Sequence, residues 1–336
     1  MKNEVLLEIK NLKQYFPIKE GFLKKTVANV KAVNDVSIKI NKRETLGLVG
    51  ESGCGKSTLG RAVLRLYEPT SGEVNFYKGN EKLNVLELDR KEMREVRSNM
   101  QMIFQDPFSS LNERMTVMEN IIEPLVVNNI GTREERQDRA AELLEQVGLR
   151  KEYIKRYPHA FSGGQRQRVG IARALSIKPK FIVADEPVSG LDVSVQAQIL
   201  NLLKELQSEL DLTFLFISHD LGVVRYVADR IAVMYTGKLV EIGPRDEILE
   251  NPKHPYTEAL LSSVPRARLD HSRSRIILKG TPPDPINLPT GCIFQTRCTY
   301  TKRVCREKEP VWESVGDKHF VGCHFCDSLN LRGINE

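Results

Sequence analysis

One stretch of this sequence fixes most of what the chain can become. Gly50-Glu-Ser-Gly-Cys-Gly-Lys-Ser57 has the spacing G-x-x-x-x-G-K-[ST]. That spacing cradles phosphate only with a strand before it and a helix after it. Both flanks are present: Glu44 to Val49 (ETLGLV) reads as a short buried strand, and Lys56 to Leu66 has helical spacing. The small residues Gly50, Ser52, Gly53, Cys54 and Gly55 let the backbone curl until several N–H groups aim at one phosphate. The start of the helix, with Thr58 in its first turn, adds partial positive charge. Lys56 can reach the β- and γ-phosphates, and the Ser57 hydroxyl can ligate Mg²⁺. Cys54 occupies a place where only a small side chain fits, and no chemistry is assigned to it.

A second motif belongs with the first. Val183-Ala-Asp-Glu186 ends a buried apolar strand, Phe181 to Ala184. Alone, Asp185-Glu186 would read as a solvated strand end. Beside a phosphate loop, Asp185 is placed to face Mg²⁺ below the phosphates. Phosphoryl transfer to water also needs a residue that orients the water, and Glu186 is the candidate.

The surrounding pattern predicts an α/β fold. Val5 to Leu12 and Val30 to Ile40 read as strands, joined by a hairpin loop around the charged Lys19 to Lys25. Thr213 to Ile217 (TFLFI) is a further buried strand. Short apolar runs separated by helices mark a mostly parallel sheet covered on both faces. From about 115 to 178 the pattern is helical, as in Arg133 to Glu145, and implies an inserted helical subdomain. Val193 to Leu210 is another amphipathic helix. The character changes near Pro265. From there on the chain holds 6 of its 16 prolines, with 12 Lys/Arg against 8 Asp/Glu. Two parts are expected: 1–264, and a tail from 265 to 336.

Composition closes off other classes. The net charge is +6 over 336 residues, of which the tail supplies four, leaving the first part near neutral. A nucleic-acid role thus lacks electrostatic support. No apolar run is long enough to span a bilayer, and the start, Met1-Lys-Asn-Glu4, has no apolar region of a secretory signal.

Four further segments identify the branch of nucleotide-binding proteins. Phe161-Ser-Gly-Gly-Gln-Arg-Gln-Arg168 resembles the signature of ABC ATPases. Gln105 in Ile103-Phe-Gln-Asp-Pro107 resembles their Q-loop, Ser189-Gly-Leu-Asp192 their D-loop, and Ile217-Ser-His-Asp220 their switch-histidine segment. All stand in the family's order. The resemblance implies a RecA-like parallel core with an antiparallel β-subdomain and a helical subdomain. It also implies that two such domains pair head to tail over two ATP molecules. Each ATP would then lie between one phosphate loop and the other subunit's Ser162, Gly163, Gly164 and Gln165, with Asp192 at the interface. His219 would contact the γ-phosphate, and Gln105 would sense Mg²⁺ and a membrane subunit. Phe16, next to Tyr15, stands where the family has an aromatic stacked on adenine; a core or edge-strand role is the other reading.

The resemblance narrows. Tyr15-Phe-Pro-Ile-Lys19, Tyr157-Pro-His159, Leu191-Asp-Val-Ser-Val-Gln196 and His254-Pro-Tyr-Thr257 are similar to the ATP-binding subunits of dipeptide/oligopeptide importers, and the start and phosphate loop favour the second, F-type, subunit. This implies a peripheral protein at the cytoplasmic face of the cell membrane. Its partners would be a sister ATPase, two membrane permeases and an extracytoplasmic peptide-binding protein. The permease groove would lie between Gln105–Asn112 and the helical subdomain, with Phe108 and Leu111 as apolar candidates. Related nickel or glutathione importers share much of the pattern. A non-transport ABC ATPase fits less well: chromosome-structure members need a long insertion, translation-associated ones carry two cassettes, and an iron–sulfur assembly ATPase would lack this tail.

Five of the six cysteines crowd the tail. In a reducing compartment such a cluster reads as metal before disulfide. Cys292, Cys298, Cys305 and Cys323 are spaced C-x₅-C-x₆-C-x₁₇-C, without the paired C-x-x-C knuckles of structural zinc. Irregularly spaced thiolates can converge on a [4Fe–4S] cube, and the importer family carries the same four-cysteine pattern with such a cluster. Zinc, or reduced thiols without metal, are the alternatives. Cys326 lies outside the four, as a free thiol or alternative ligand.

Overall fold

The computed structural model describes residues 4–22, 24–79, 81–264 and 276–334. Among them the strands are β1 (Val5–Glu20), β2 (Lys25–Asn41), β3 (Thr45–Val49), β4 (Ser71–Lys78), β5 (Glu81–Asn84) and β6 (Met100–Ile103). They continue with β7 (Phe181–Asp185), β8 (Thr213–Ser218), β9 (Arg230–Tyr235), β10 (Lys238–Pro244), β11 (Glu313–Gly316) and β12 (His319–Val321). They form two sheets: an antiparallel one in the order β2-β1-β4-β5, and an eight-stranded one in the order β11-β12-β10-β9-β3-β8-β7-β6.

The second sheet explains the phosphate loop. β3 is paired in parallel on both sides, with β8 (Val49 opposite Ser218) and with β9 (Val49 opposite Val233), and all five of its residues are buried. β7 runs parallel to β8, so Asp185 sits opposite Ile217. The C-terminal ends of β3, β7 and β8 therefore emerge together. In open parallel sheets that edge is where ligands bind.

Apolar runs on β3, β7 and β8 made these strands legible. Others were not. β6 is a four-residue edge strand, MQMI, with no alternation to read. The first hairpin is longer than expected: β1 and β2 run on through the charged stretch, leaving a turn whose Lys24 N–H donates to the Gly21 carbonyl at 3.1 Å. There the ribbon leaves the core, so its lysines stay solvated while the ladder continues.

The helical segment consists of Val117–Val127, Arg133–Gln146 and Gly163–Leu175, joined by two short 3₁₀ turns. Thr116, Thr132 and Ser162 each begin a helix with a capping box to Glu119, Glu135 and Gln165. Leu143, Leu144, Val169 and Ile171 join the core that also covers one face of the large sheet.

The expected boundary at Pro265 falls outside the described residues. Beyond it, β12 pairs antiparallel with β10 (Glu241 opposite Val321), so the tail extends the main sheet. Ile293 and Phe294 join the same core as the helical segment. Buried Glu241 ties the parts together. Its carboxylate accepts from His319 Nε2 (2.8 Å), from the N–H groups of Lys253 (2.6 Å) and His254 (3.2 Å), and from the Thr257 hydroxyl.

Candidate nucleotide site

The phosphate loop leaves β3 at Gly50 and enters the helix Lys56–Val63 at Gly55. Both glycines have positive φ, 154° and 105°. A Cβ on Gly50 would collide with the Met234 carbonyl, and one on Gly55 with the Ala32 carbonyl. Only glycine lets the loop lie this close to β2 and β9. Lys56 Nζ folds back over the loop and donates to the carbonyls of Gly50 (2.8 Å) and Glu51 (3.0 Å).

A cleft of about 480 Å³ opens above the loop, lined by Ala32, Ser52, Gly53, Gly55, Lys56, Ser57, Thr58, Gln105, Glu186, Ser189 and His219. Its far wall is a triad. Gln105 Nε2 donates to Glu186 Oε2 at 3.0 Å, and His219 Nδ1 lies 3.1 Å from Glu186 Oε1. Glu186 holds a left-handed backbone, φ 45°, with its N–H on the Ile217 carbonyl at 3.0 Å. Such a conformation costs about 1–3 kcal/mol and persists only where its surroundings hold it.

Asp185 lies beneath the cleft, fully buried. Its Oδ1 accepts from Ser57 Oγ at 2.7 Å, while Oδ2 has no hydrogen-bond partner and lies 3.7 Å from Arg61. Burial pushes its carboxyl above the usual range, partly offset by the Ser57 hydroxyl and the Arg61 charge. A buried carboxylate oxygen with an open lone pair beside a serine hydroxyl fits Mg²⁺, an oxygen-ligated cation.

Some expected residues lie elsewhere. The Cys54 side chain turns under the loop into the core, and burial raises its thiol. Its backbone can serve a phosphate; its sulfur does not face the cleft. Phe16 is half-buried and packs edge-on against Tyr67, with ring centroids 5.4 Å apart, outside the cleft wall. The Tyr15 hydroxyl is committed to Asn34 Oδ1 at 2.6 Å. Leu111, expected as an exposed apolar residue, is buried, because its turn folds inward against the helical segment. Phe108 is 55% exposed, with the Arg166 guanidinium over its ring.

The signature lies apart from the chain's own phosphate loop. Ser162, Gly163, Gly164 and Asp192 line a second depression of about 460 Å³, which shares only Gln105 and Ser189 with the first. Gln165 is engaged locally, its Oε1 accepting the Ser162 N–H at 3.1 Å. The start of the helix Gly163–Leu175 is thus absent from the lining of this chain's own nucleotide cleft.

Sequence reading placed Ser189 in the D-loop segment but gave it no place in the cleft wall, and it gave no site role to Arg61, Glu51, Tyr256 or Arg297. The Glu51 N–H donates to the Tyr256 hydroxyl at 2.8 Å. The Arg297 guanidinium forks onto both Glu51 oxygens, at 2.6 and 3.0 Å. Arg297 immediately precedes Cys298, and no local signal links it to a loop 246 residues away.

In the tail, Cys292, Cys305 and Cys323 are buried, Cys298 is half-buried, and none is disulfide-bonded. Burial pushes Cys298 up to about 11 and Cys323 up to about 12, and each is raised further by neighbouring thiols of the set. Burial raises the Cys292 thiol as well. Among the described residues no three of these sulfurs lie within 4.8 Å of one another. Glu313, Cys326 and Asp327 do approach within 4.8 Å, and there Cys326 Sγ donates to Glu313.

Comparisons with known proteins agree with this geometry. The ABC transporter family model matches residues 33–189, and the model for the oligopeptide/dipeptide transporter C-terminal region matches 240–305. The chain is 54% identical to the oligopeptide transport ATP-binding protein AppF of Bacillus subtilis, covering 96% of this chain and 97% of that protein. It is 47% identical to the dipeptide transport ATP-binding protein DppF of Haemophilus influenzae, over 97% and 98%. Among solved structures it is similar to the dimeric, post-hydrolysis ATP-binding cassette MJ0796 bound to ADP and Pi. That match has a TM-score of 0.62 and 32% identity, over 71% of this chain and 99% of that one.

Proposed function

The chain belongs to the ATP-binding subunits of dipeptide/oligopeptide importers in the ABC transporter family, and from that premise we propose that it hydrolyses ATP in a head-to-tail ATPase pair and thereby powers peptide import through membrane permeases. The observation that carries this reading is the separation of the two half-sites. Gln105, Glu186 and His219 close on the phosphate loop, while Ser162–Gly164 line a separate depression. A second subunit turned head to tail completes each site.

The residues divide the work. The loop amides and the helix start bind the triphosphate. Lys56 exchanges its two loop carbonyls for phosphate oxygens. Ser57 and Asp185 would hold Mg²⁺, which neutralises phosphate charge when bound. Glu186 holds the attacking water, and its two neighbours set its direction: the Gln105 amide holds one oxygen and His219 the other. The arriving partner's signature amides supply further positive potential at the γ-phosphate.

For its surroundings, we assign a sister ATPase, two permeases and an extracytoplasmic peptide-binding protein. No helix among the described residues is long and apolar enough to cross a membrane, which agrees with a peripheral place at the cytoplasmic face. The permease contact is assigned to a groove of about 480 Å³ between Phe104–Ser110 and the helix Val117–Val127, floored by Met100 and Met102. Cys292, Cys298, Cys305 and Cys323 are assigned to a [4Fe–4S] cluster with a structural or regulatory role, since ATP-driven transport needs no electron transfer. The test is copurification of the tagged chain from its host. ATPase activity raised by peptide-loaded binding protein in the assembled complex is expected. Activity stimulated by DNA, with no permease bound, would refute the transport reading.

A further inference from the structure

Glu51 has no part in the scheme above, and its position is awkward. It is the second residue of the phosphate loop, one before Ser52 in the cleft wall. A carboxylate there repels an incoming triphosphate, because like charges in a partly desolvated cleft are poorly screened.

The tail supplies the counter-charge. The Arg297 guanidinium makes a two-pronged pair with Glu51 and donates a third bond to the Tyr235 hydroxyl at 3.4 Å. Its side chain is 7% exposed, against 30% for Glu51. The turn carrying it is anchored: the Arg297 and Cys298 N–H groups both donate to the Phe294 carbonyl at 3.0 Å, and the Phe294 ring is buried among Tyr235, Tyr256 and His254. On the loop side, Glu51 N–H is fixed by Tyr256 and its carbonyl accepts from Lys56. Every polar group of Glu51 thus touches either the tail-side aromatic cluster, Arg297 or the phosphate-binding lysine.

We propose that Arg297 is a positioning residue for nucleotide binding: reaching from the C-terminal tail, it neutralises Glu51 and fixes the phosphate loop for the triphosphate. The inference rests on the ATP-binding reading. It carries an asymmetry that simple structural support does not. Removing Arg297 alone leaves an uncompensated carboxylate one residue from the cleft wall; removing both charges leaves none.

The test is calorimetric titration of the full chain with Mg²⁺ and ATP. Arg297→Met should weaken ATP binding about tenfold, equivalent to about 1.4 kcal/mol, and added salt should narrow the gap. Glu51→Gln should bind more tightly than Arg297→Met, because it leaves no uncompensated carboxylate; binding as weak as that of Arg297→Met would overturn the charge argument. The double variant Glu51→Gln/Arg297→Met should recover most of the affinity that Arg297→Met loses. Arg297→Met binding like wild type would overturn the proposal, as would a double variant as weak as Arg297→Met or weaker. Thermal unfolding without nucleotide monitors the fold. If Arg297→Met does not fold, Arg297→Lys keeps the charge without the fork. It should stay within about threefold of wild type, and a loss of about tenfold would overturn the charge argument. A wild-type chain that binds no ATP would instead refute the ATP-binding reading itself.

Discussion

His219 Nδ1 lies 3.1 Å from Glu186 Oε1, and the other oxygen of that carboxylate accepts from Gln105 at 3.0 Å. The carboxylate is held at both ends over the cleft, which suits a group that must aim a water molecule. Glu186→Gln keeps the shape and removes the base. ATP binding should survive, hydrolysis should fall by at least about 100-fold, and the closed pair should accumulate. Phosphate release in a single turnover, with size-exclusion chromatography in ATP, checks both. Hydrolysis at the wild-type rate in the assembled complex would assign the work to another residue or to the sister site.

Among the described residues, Ser57 provides the one hydrogen bond to the buried Asp185 carboxylate. Ser57→Ala should destabilise the nucleotide-free chain by about 1–3 kcal/mol, the cost of an unsatisfied buried polar group. Asp185→Asn removes the buried charge and should cost less. Both should abolish the gain in ATP affinity that Mg²⁺ gives the wild type. Urea unfolding gives the first comparison, and nucleotide titrations with and without Mg²⁺ give the second.

In the proposed head-to-tail pair the signature serves the other subunit's nucleotide, so its perturbation should be silent in the monomer. A Cβ on Gly163 meets the end of the Leu191 side chain at 3.3 Å, a tight contact that needs Leu191 to shift by a few tenths of an ångström. Gly163→Asp would place a negative charge at the start of the helix Gly163–Leu175, against an arriving γ-phosphate. Made in the Glu186→Gln background, it should leave monomer ATP binding unchanged and abolish the ATP-dependent pair. Loss of monomer binding would mean that the signature serves its own cleft.

His254 carries a pH prediction. It is buried, its Nδ1 accepts the Tyr256 N–H at 3.1 Å, and burial pushes it down to about 3. The folded chain therefore keeps it neutral while the unfolded chain protonates it near the ordinary 6.5. Between those values the unfolded state binds more protons, so stability falls as pH falls below about 6.5. The loss from this group approaches about 1.4 kcal/mol per pH unit. His254→Asn keeps a capping acceptor without the titration. Urea unfolding at pH 7.5 and 5.5 should show a smaller acid loss for the variant than for wild type.

What could be read from the sequence was what is local along the chain. The phosphate loop, Asp185-Glu186 and Ser162–Gly164 are contiguous, and the backbone itself presents them. The strands β3, β7 and β8 declare themselves because both of their faces are buried. Edge strand β6 and the late strands β9 to β12 carry weaker patterns. Leu111 and Phe108 stand three residues apart, and only the fold decides which turns inward. The Glu51–Arg297 pair depends on topology: β12 must join β10 before the tail can lie over the phosphate loop.

The four tail cysteines give a prediction that separates iron from zinc. Cys292, Cys305 and Cys323 are buried and Cys298 half-buried in a turn-rich segment braced by Phe294. Protein purified without oxygen should be coloured and should contain iron and acid-labile sulfide. Cys323→Ser should lose the colour and most of the iron, because it removes one of the four proposed ligands. Cys326→Ser should keep both, since that thiol is directed at Glu313. Loss of the cluster should also lower the thermal midpoint, because the bound group is part of the tail's folding energy. Colourless protein holding stoichiometric zinc, or no metal, would remove the cluster from this account and leave the ATP site as described.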